Sequence, residues 1–158
     1  MRRYAPVLIL CVALAAQAQT TPQRVVRENV IVSDQKPNIR IEVPKEARYL
    51  GVDRWILYGV ADCELHVWIE ADGDNVANRL YWVQFEAYLP SKAGLRYNYP
   101  FTRTTNIGGL DFDVRARFGA NEQPPKPESD AGHVWAMLKA AGYKWSRDAM
   151  REAGLSAG

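Results

Sequence analysis

The chain has 158 residues and carries 20 Lys and Arg against 18 Asp and Glu, a net charge of only +2. Such a balance gives no electrostatic case for binding nucleic acid or an anionic membrane surface. The length suits one ordinary domain, and five Trp supply large apolar areas for its core.

Residues 1–18 read as a signal peptide. Arg2 and Arg3 form a charged start, Val7 to Ala15 a short apolar core, and Ala16-Gln17-Ala18 the small residues of a cleavage site. The apolar stretch is about half the ~20 residues a membrane-spanning helix needs, so no transmembrane segment is expected. A mature chain starting near Gln19 would be periplasmic or extracellular. It would hold 18 basic and 18 acidic residues, and would keep Cys63 but lose Cys11. One cysteine cannot make an intramolecular disulfide. Cys63 alternates with Leu65, Val67 and Ile69, which predicts a buried, unreactive thiol.

Residues 19–123 are expected to form an antiparallel β domain. Residues 19–38 suggest a mobile start with an edge strand around Val25, Val26 and Val30–Val32. Asn38 to Val43 alternates, with Ile39, Ile41 and Val43 on one face, and stops at Pro44. Arg54 to Val60 is a continuous apolar run and predicts a central strand covered on both faces. Gly51 and Gly59 fit a turn and a bend.

The clearest hairpin pairs 62–71 with 76–89 around the turn residues Asp72-Gly73-Asp74-Asn75. Matching apolar faces sets Val67 against Tyr81 or Val83, and Trp68 against Leu80 or Trp82. Leu95, Tyr97, Tyr99 and Phe101 suggest another edge strand, with a stacking platform as the functional alternative. Gly108-Gly109 marks a turn, and Leu110 to Phe118 alternates as an amphipathic strand. Leu65, Val67, Val83, Phe85, Phe112 and Val114 are expected in one core.

Glu122 to Glu128 is proline-rich, with 124–128 as the linker proper. Residues 129–158 read as a helical segment packed on the sheet. Its first helix is capped by Ser129 or Asp130, carries Val134, Leu138 and Ala141, and ends at Gly142. A second short helix spans Arg147–Ala153. The fold class is therefore α+β, a curved antiparallel sheet of about five to six strands with two short C-terminal helices packed on it. The alternative is a small lipocalin-like β-barrel with a C-terminal helix.

The sequence contains no nucleophile elbow, phosphate loop, dinucleotide glycine pattern or zinc-protease motif. His66 and His133 are the only histidines and stand in no Cys/His cluster, so neither a metal nor a cofactor is expected. The candidate site is the second face of the hairpin, where Glu64, His66 and Trp68 would meet Trp82, Gln84 and Glu86. Aromatic walls with a few orienting polar groups furnish a small-ligand cleft. The same residues could also form a covered or solvated face, with Arg115 and Arg117 pairing the carboxylates.

Three functions follow from these residues. The first is an exported, non-catalytic binding module for a small amphiphilic or aromatic ligand. The second is a cell-envelope protein that meets a protein partner through a sheet edge or the linker. The third is a small hydrolase or isomerase using His66 with Glu64 or Glu86.

Overall fold

The computed structural model describes residues 23–98, 103–115 and 124–145. The signal segment with Gln19, then Tyr99, Phe101, Ala116 to Phe118 and the helix expected over Arg147–Ala153 lie outside the described residues.

Three short strands open the fold: β1 (Val25–Arg27), β2 (Val30–Ser33) and β3 (Ile39–Glu42), paired antiparallel in that order. In β3 Ile39 and Ile41 turn inward and Arg40 and Glu42 outward, as the alternation predicts. The Asn29 side-chain amide donates to the carbonyls of Pro44 and Ala47, tying the turn after β1 to the chain that leaves β3. Next come β4 (Arg48–Leu57), β5 (Ala61–Ala71) and β6 (Val76–Tyr88), again antiparallel. The strands β7 (Arg103–Ile107) and β8 (Leu110–Val114) form a separate hairpin. The helix α1 (Asp130–Ala140) follows, and β9 (Lys144–Trp145) joins β6 in parallel beside Val76 and Ala77.

The architecture is α+β and rich in antiparallel sheet, but among the described residues the strands divide among sheets of three, four and two strands, and none closes into a barrel. Among the described residues there is one α-helix. The Ser129 hydroxyl accepts from the Gly132 amide and caps it, Val134 and Leu138 are its buried residues, and Gly142 (φ 78°) follows its end. Ala141, expected on the apolar stripe, is exposed.

Several expectations change. The apolar run 54–60 is not a central strand, because β4 is the edge of its sheet and ends in a turn at Tyr58-Gly59. Ile56 and Tyr58 are 51% and 63% exposed, so the continuous run never had two covered faces. Gly51 sits not in a turn but at a β-bulge inside β4, with φ 137°. Leu95 and Tyr97 are exposed and lie in no strand.

The strand with both faces buried is β5, from Ala61 to Ile69 with only Asp62 partly open. One face carries Leu65, Val67 and Ile69 against Val134 and Leu138 of α1. The other carries Trp68, packed with Ile31, Val43, Ala47 and Phe85 beneath the first sheet. The expected single core is therefore two cores on opposite sides of β5: Leu65 and Val67 belong to one, Phe85 and Val83 to the other. Phe112 and Val114 join neither; they are half-buried on the β7–β8 hairpin.

The β5–β6 register differs by one residue from the apolar match. Ala71 faces Ala77, but a bulge follows, and Glu70 faces Arg79, Trp68 faces Tyr81 and Val67 faces Trp82. Without the bulge Val67 would face Tyr81, as expected. One extra residue turns every later side chain of β6 to the other side of the sheet.

Phe85→Ala should cost about 3–5 kcal/mol, from lost transfer energy plus the cavity. Asp113→Ala, which removes an exposed acceptor of the Thr104 hydroxyl, should cost under about 0.5 kcal/mol. Urea denaturation of the two variants checks this, and comparable losses would place Phe85 outside a working core.

Candidate functional site

The shifted register splits the expected site. Glu64, His66 and Trp68 share a face with Tyr81, Val83 and Phe85, while Trp82, Gln84 and Glu86 lie on the opposite face beside Cys63 and Leu65. Each half is internally organised. On the helix side Trp82 Nε1 donates to Gln84 Oε1 (2.8 Å) and Gln84 Nε2 to Glu86 Oε2 (3.3 Å), leaving Trp82 38% exposed.

The other half is a buried polar chain. The Tyr49 hydroxyl lies 2.9 Å from His66 Nδ1, and His66 Nε2 lies 3.0 Å from Glu64 Oε1. An acceptor carboxylate at Nε2 fixes the proton there, so Nδ1 accepts from the tyrosine. Glu64 also accepts the backbone amides of Gln23 (2.7 Å) and Arg24 (2.9 Å), with Arg54 Nε at 3.6 Å and Arg24 at 3.9 Å. Glu64 and His66 are each 1% exposed. Burial pulls the His66 pKa below its usual range despite Glu64, and raises that of Tyr49 to about 12, with the Glu64 charge adding to the effect.

Glu64 also reaches the floor of an open cleft of about 400 Å³. Ile39 and Ile41 of β3, Val83 and Phe85 of β6, and Phe112 of β8 give it apolar walls. Arg24 and Lys36 bring positive charge; Asp62, Glu64 and Glu86 bring negative charge. Most of these ions are already engaged. Arg24 lies 4.2 Å over the Phe85 ring, and Asp62 pairs with Arg54 at 2.8 Å. Lys36 makes no ion pair among the described residues.

Five successive residues of β6, Val83 to Ala87, border this cleft. Side chains alternate between the faces of a strand, so Gln84 and Glu86, whose side chains lie on the far face, border this space through the backbone of β6 or along its edge. Among the described residues β9 covers the outer edge of β6 only at Val76 and Ala77, and no strand pairs with it beyond. The Leu89 amide donates to the Val60 carbonyl of the β5 side. The antiparallel alternation then aims the backbone groups of Val83, Phe85 and Ala87 at β5 and those of Gln84 and Glu86 outward.

Of the six residues singled out from sequence, Glu64, Gln84 and Glu86 border the cleft, while His66, Trp68 and Trp82 do not. Arg24, Lys36, Ile39, Ile41 and Phe112 were missed; they come from β3, β8, the residue before β1 and the β2–β3 loop, and no local pattern marks them. At Glu64 the arginines are Arg24 and Arg54; Arg115 makes no ion pair among the described residues, and Arg117 lies outside them. His133 forms a second polar contact on the helix side, its Nδ1 2.7 Å from Asp53 Oδ2 and its ring stacked on Trp55 at 3.9 Å.

No group of three or more metal-ligating side chains occurs among the described residues, and no described helix is long and apolar enough to cross a membrane. No protein-family model, curated protein or solved structure matches this chain.

Two titration predictions follow from the geometry. The unfolded chain takes up a proton near pH 6.5 at His66 that the folded imidazole resists. Stability from the neutral ring is complete above that pH and drains as pH falls below it. Urea unfolding of His66→Gln should change less between pH 7 and pH 5 than that of the wild type; identical slopes would assign the loss to other groups.

Cys63 is fully buried, and burial, with Glu86, Asp130 and Asp62 nearby, pushes its thiol pKa up to about 12. A thiol reagent should label native protein slowly and unfolded protein fast. Rapid native labelling would show that the strand opens readily there.

Proposed function

We propose that the chain is an exported, non-catalytic binding module, and that the cleft between β3, β6 and β8 takes a small amphiphilic ligand. The observation that carries this reading is the combination of apolar walls with Lys36, a cation that makes no ion pair among the described residues, in a space of about 400 Å³. Small-ligand sites typically range over about 300–1,000 Å³ and are mostly apolar, with a few polar groups that fix orientation. The charged, short and cleavable character of residues 1–18 supports export.

Acid–base catalysis is the weaker reading. Both His66 nitrogens are engaged, its ring is buried, and Glu86 lies on the other side of the sheet. A substrate would have to open the core to reach the imidazole.

The fluorescent anionic amphiphile 1-anilinonaphthalene-8-sulfonate tests the proposal. It should bind the folded protein saturably at one site. Ala87→Trp, which adds bulk to an exposed residue at the cleft border, should weaken it at least tenfold without lowering the melting temperature. Equal binding by wild type and variant, or no saturable binding at all, would remove the cleft as the site.

A further inference from the structure

Resting on the cleft as the binding site, we infer that its ligand is an extended peptide segment of alternating apolar and basic residues, which adds as a further strand to the open edge of β6. The edge carries the argument. The outward backbone groups of Gln84 and Glu86 lie along the cleft border with no described strand beside them. An extended backbone satisfies such a row of donors and acceptors, as peptides do when they augment a sheet.

The side chains beside the edge then state which peptide fits. A strand added to β6 sends alternate side chains to the two faces of the sheet. On one face they enter the cleft, against Val83, Phe85, Ile39 and Ile41, where apolar residues are favoured. On the other face they lie beside Trp82, Gln84 and Glu86. Glu86 makes no ion pair among the described residues, and Trp82 offers an exposed ring. A carboxylate next to an open indole suits a lysine or arginine, by charge and by cation–π contact. The five bordering residues span about 17 Å of strand, the reach of a pentapeptide.

The probe is acetyl-Val-Lys-Val-Lys-Val-amide, titrated by calorimetry and by displacement of the anilinonaphthalene dye. It should bind the wild type and bind Ala87→Trp at least tenfold more weakly. N-methylation of alternate backbone amides blocks hydrogen bonding on one side of the peptide at a time. Methylating one alternate set should weaken binding at least tenfold and methylating the other should be tolerated. Glu86→Lys should weaken the lysine peptide and strengthen its glutamate counterpart.

Equal effects of the two methylated sets would overturn strand addition. An unchanged preference in Glu86→Lys would overturn the basic side of the assignment. Dye binding that Ala87→Trp abolishes, with no peptide binding, would overturn this inference while leaving the cleft as a small-ligand site. Loss of both would sink the reading beneath it as well. A dimer in sedimentation at the concentrations used, dissolved by Ala87→Trp, would give the edge to a second copy of this chain and overturn the peptide assignment.

Discussion

A carboxylate and an imidazole sit inside a strand covered on both faces, and the arrangement of the first sheet answers to them. Burying an ion without partners costs far more than a single domain can spare. Glu64 is therefore surrounded by donors: two backbone amides, His66 Nε2 and the guanidinium groups of Arg24 and Arg54. The amides belong to residues 23 and 24, some 40 positions earlier in the chain. Satisfying Glu64 thus holds the start of the N-terminal sheet against β5. Losing one partner of such a network leaves charge stranded in the interior, so its members act together.

Apolar packing alone would not hold the first sheet so specifically. Ile31, Val43 and Ala47 cover Trp68 and Phe85, yet hydrophobic contact tolerates some sliding. Hydrogen bonds from fixed backbone positions do not. With the sheet pinned at Gln23 and Arg24, Ile39 and Ile41 come to rest across from Val83 and Phe85 with space left between them. The cleft follows from this anchoring: one end of the three-stranded sheet is tied to β5, while β3 does not close onto β6.

Much of the fold was legible in the residues. The hairpin turn at Asp72 to Asn75 reads correctly because Asp72 Oδ1 accepts the amides of Asp74 and Val76, and Asn75 tolerates φ 60°. The Ser129 cap and the buried Val134 and Leu138 follow from helical periodicity. The register of β5 and β6 was not legible, and the reason is local. Alternation identifies which residues of one strand share a face, and it did so for both strands. It says nothing of a bulge, which moved β6 by one residue and separated His66 from Trp82. Apolar matching also loses its force when both faces of β5 are buried, because the polar set Glu64 and His66 then lies inside as deeply as Leu65 and Val67. The cleft walls were hidden for another reason: Lys36, Ile39, Phe85 and Phe112 meet only through the packing of separate sheets.

The same bulge links the core to the edge of β6. By turning Val83 and Phe85 toward the first sheet, it gives the cleft an apolar wall; by turning Trp82, Gln84 and Glu86 away, it leaves a polar ladder on the other side. An unbulged strand would present that polar ladder to the first sheet and leave Phe85 against α1. Natural sheets blunt their open edges with short strands, prolines or inward-pointing charges. β6 has thirteen residues, no proline within it, and only two residues covered by β9. A long edge without a strand partner among the described residues, beside an apolar cleft, costs protection against unwanted pairing. That cost is easiest to understand where pairing with a chosen strand is what the edge is for.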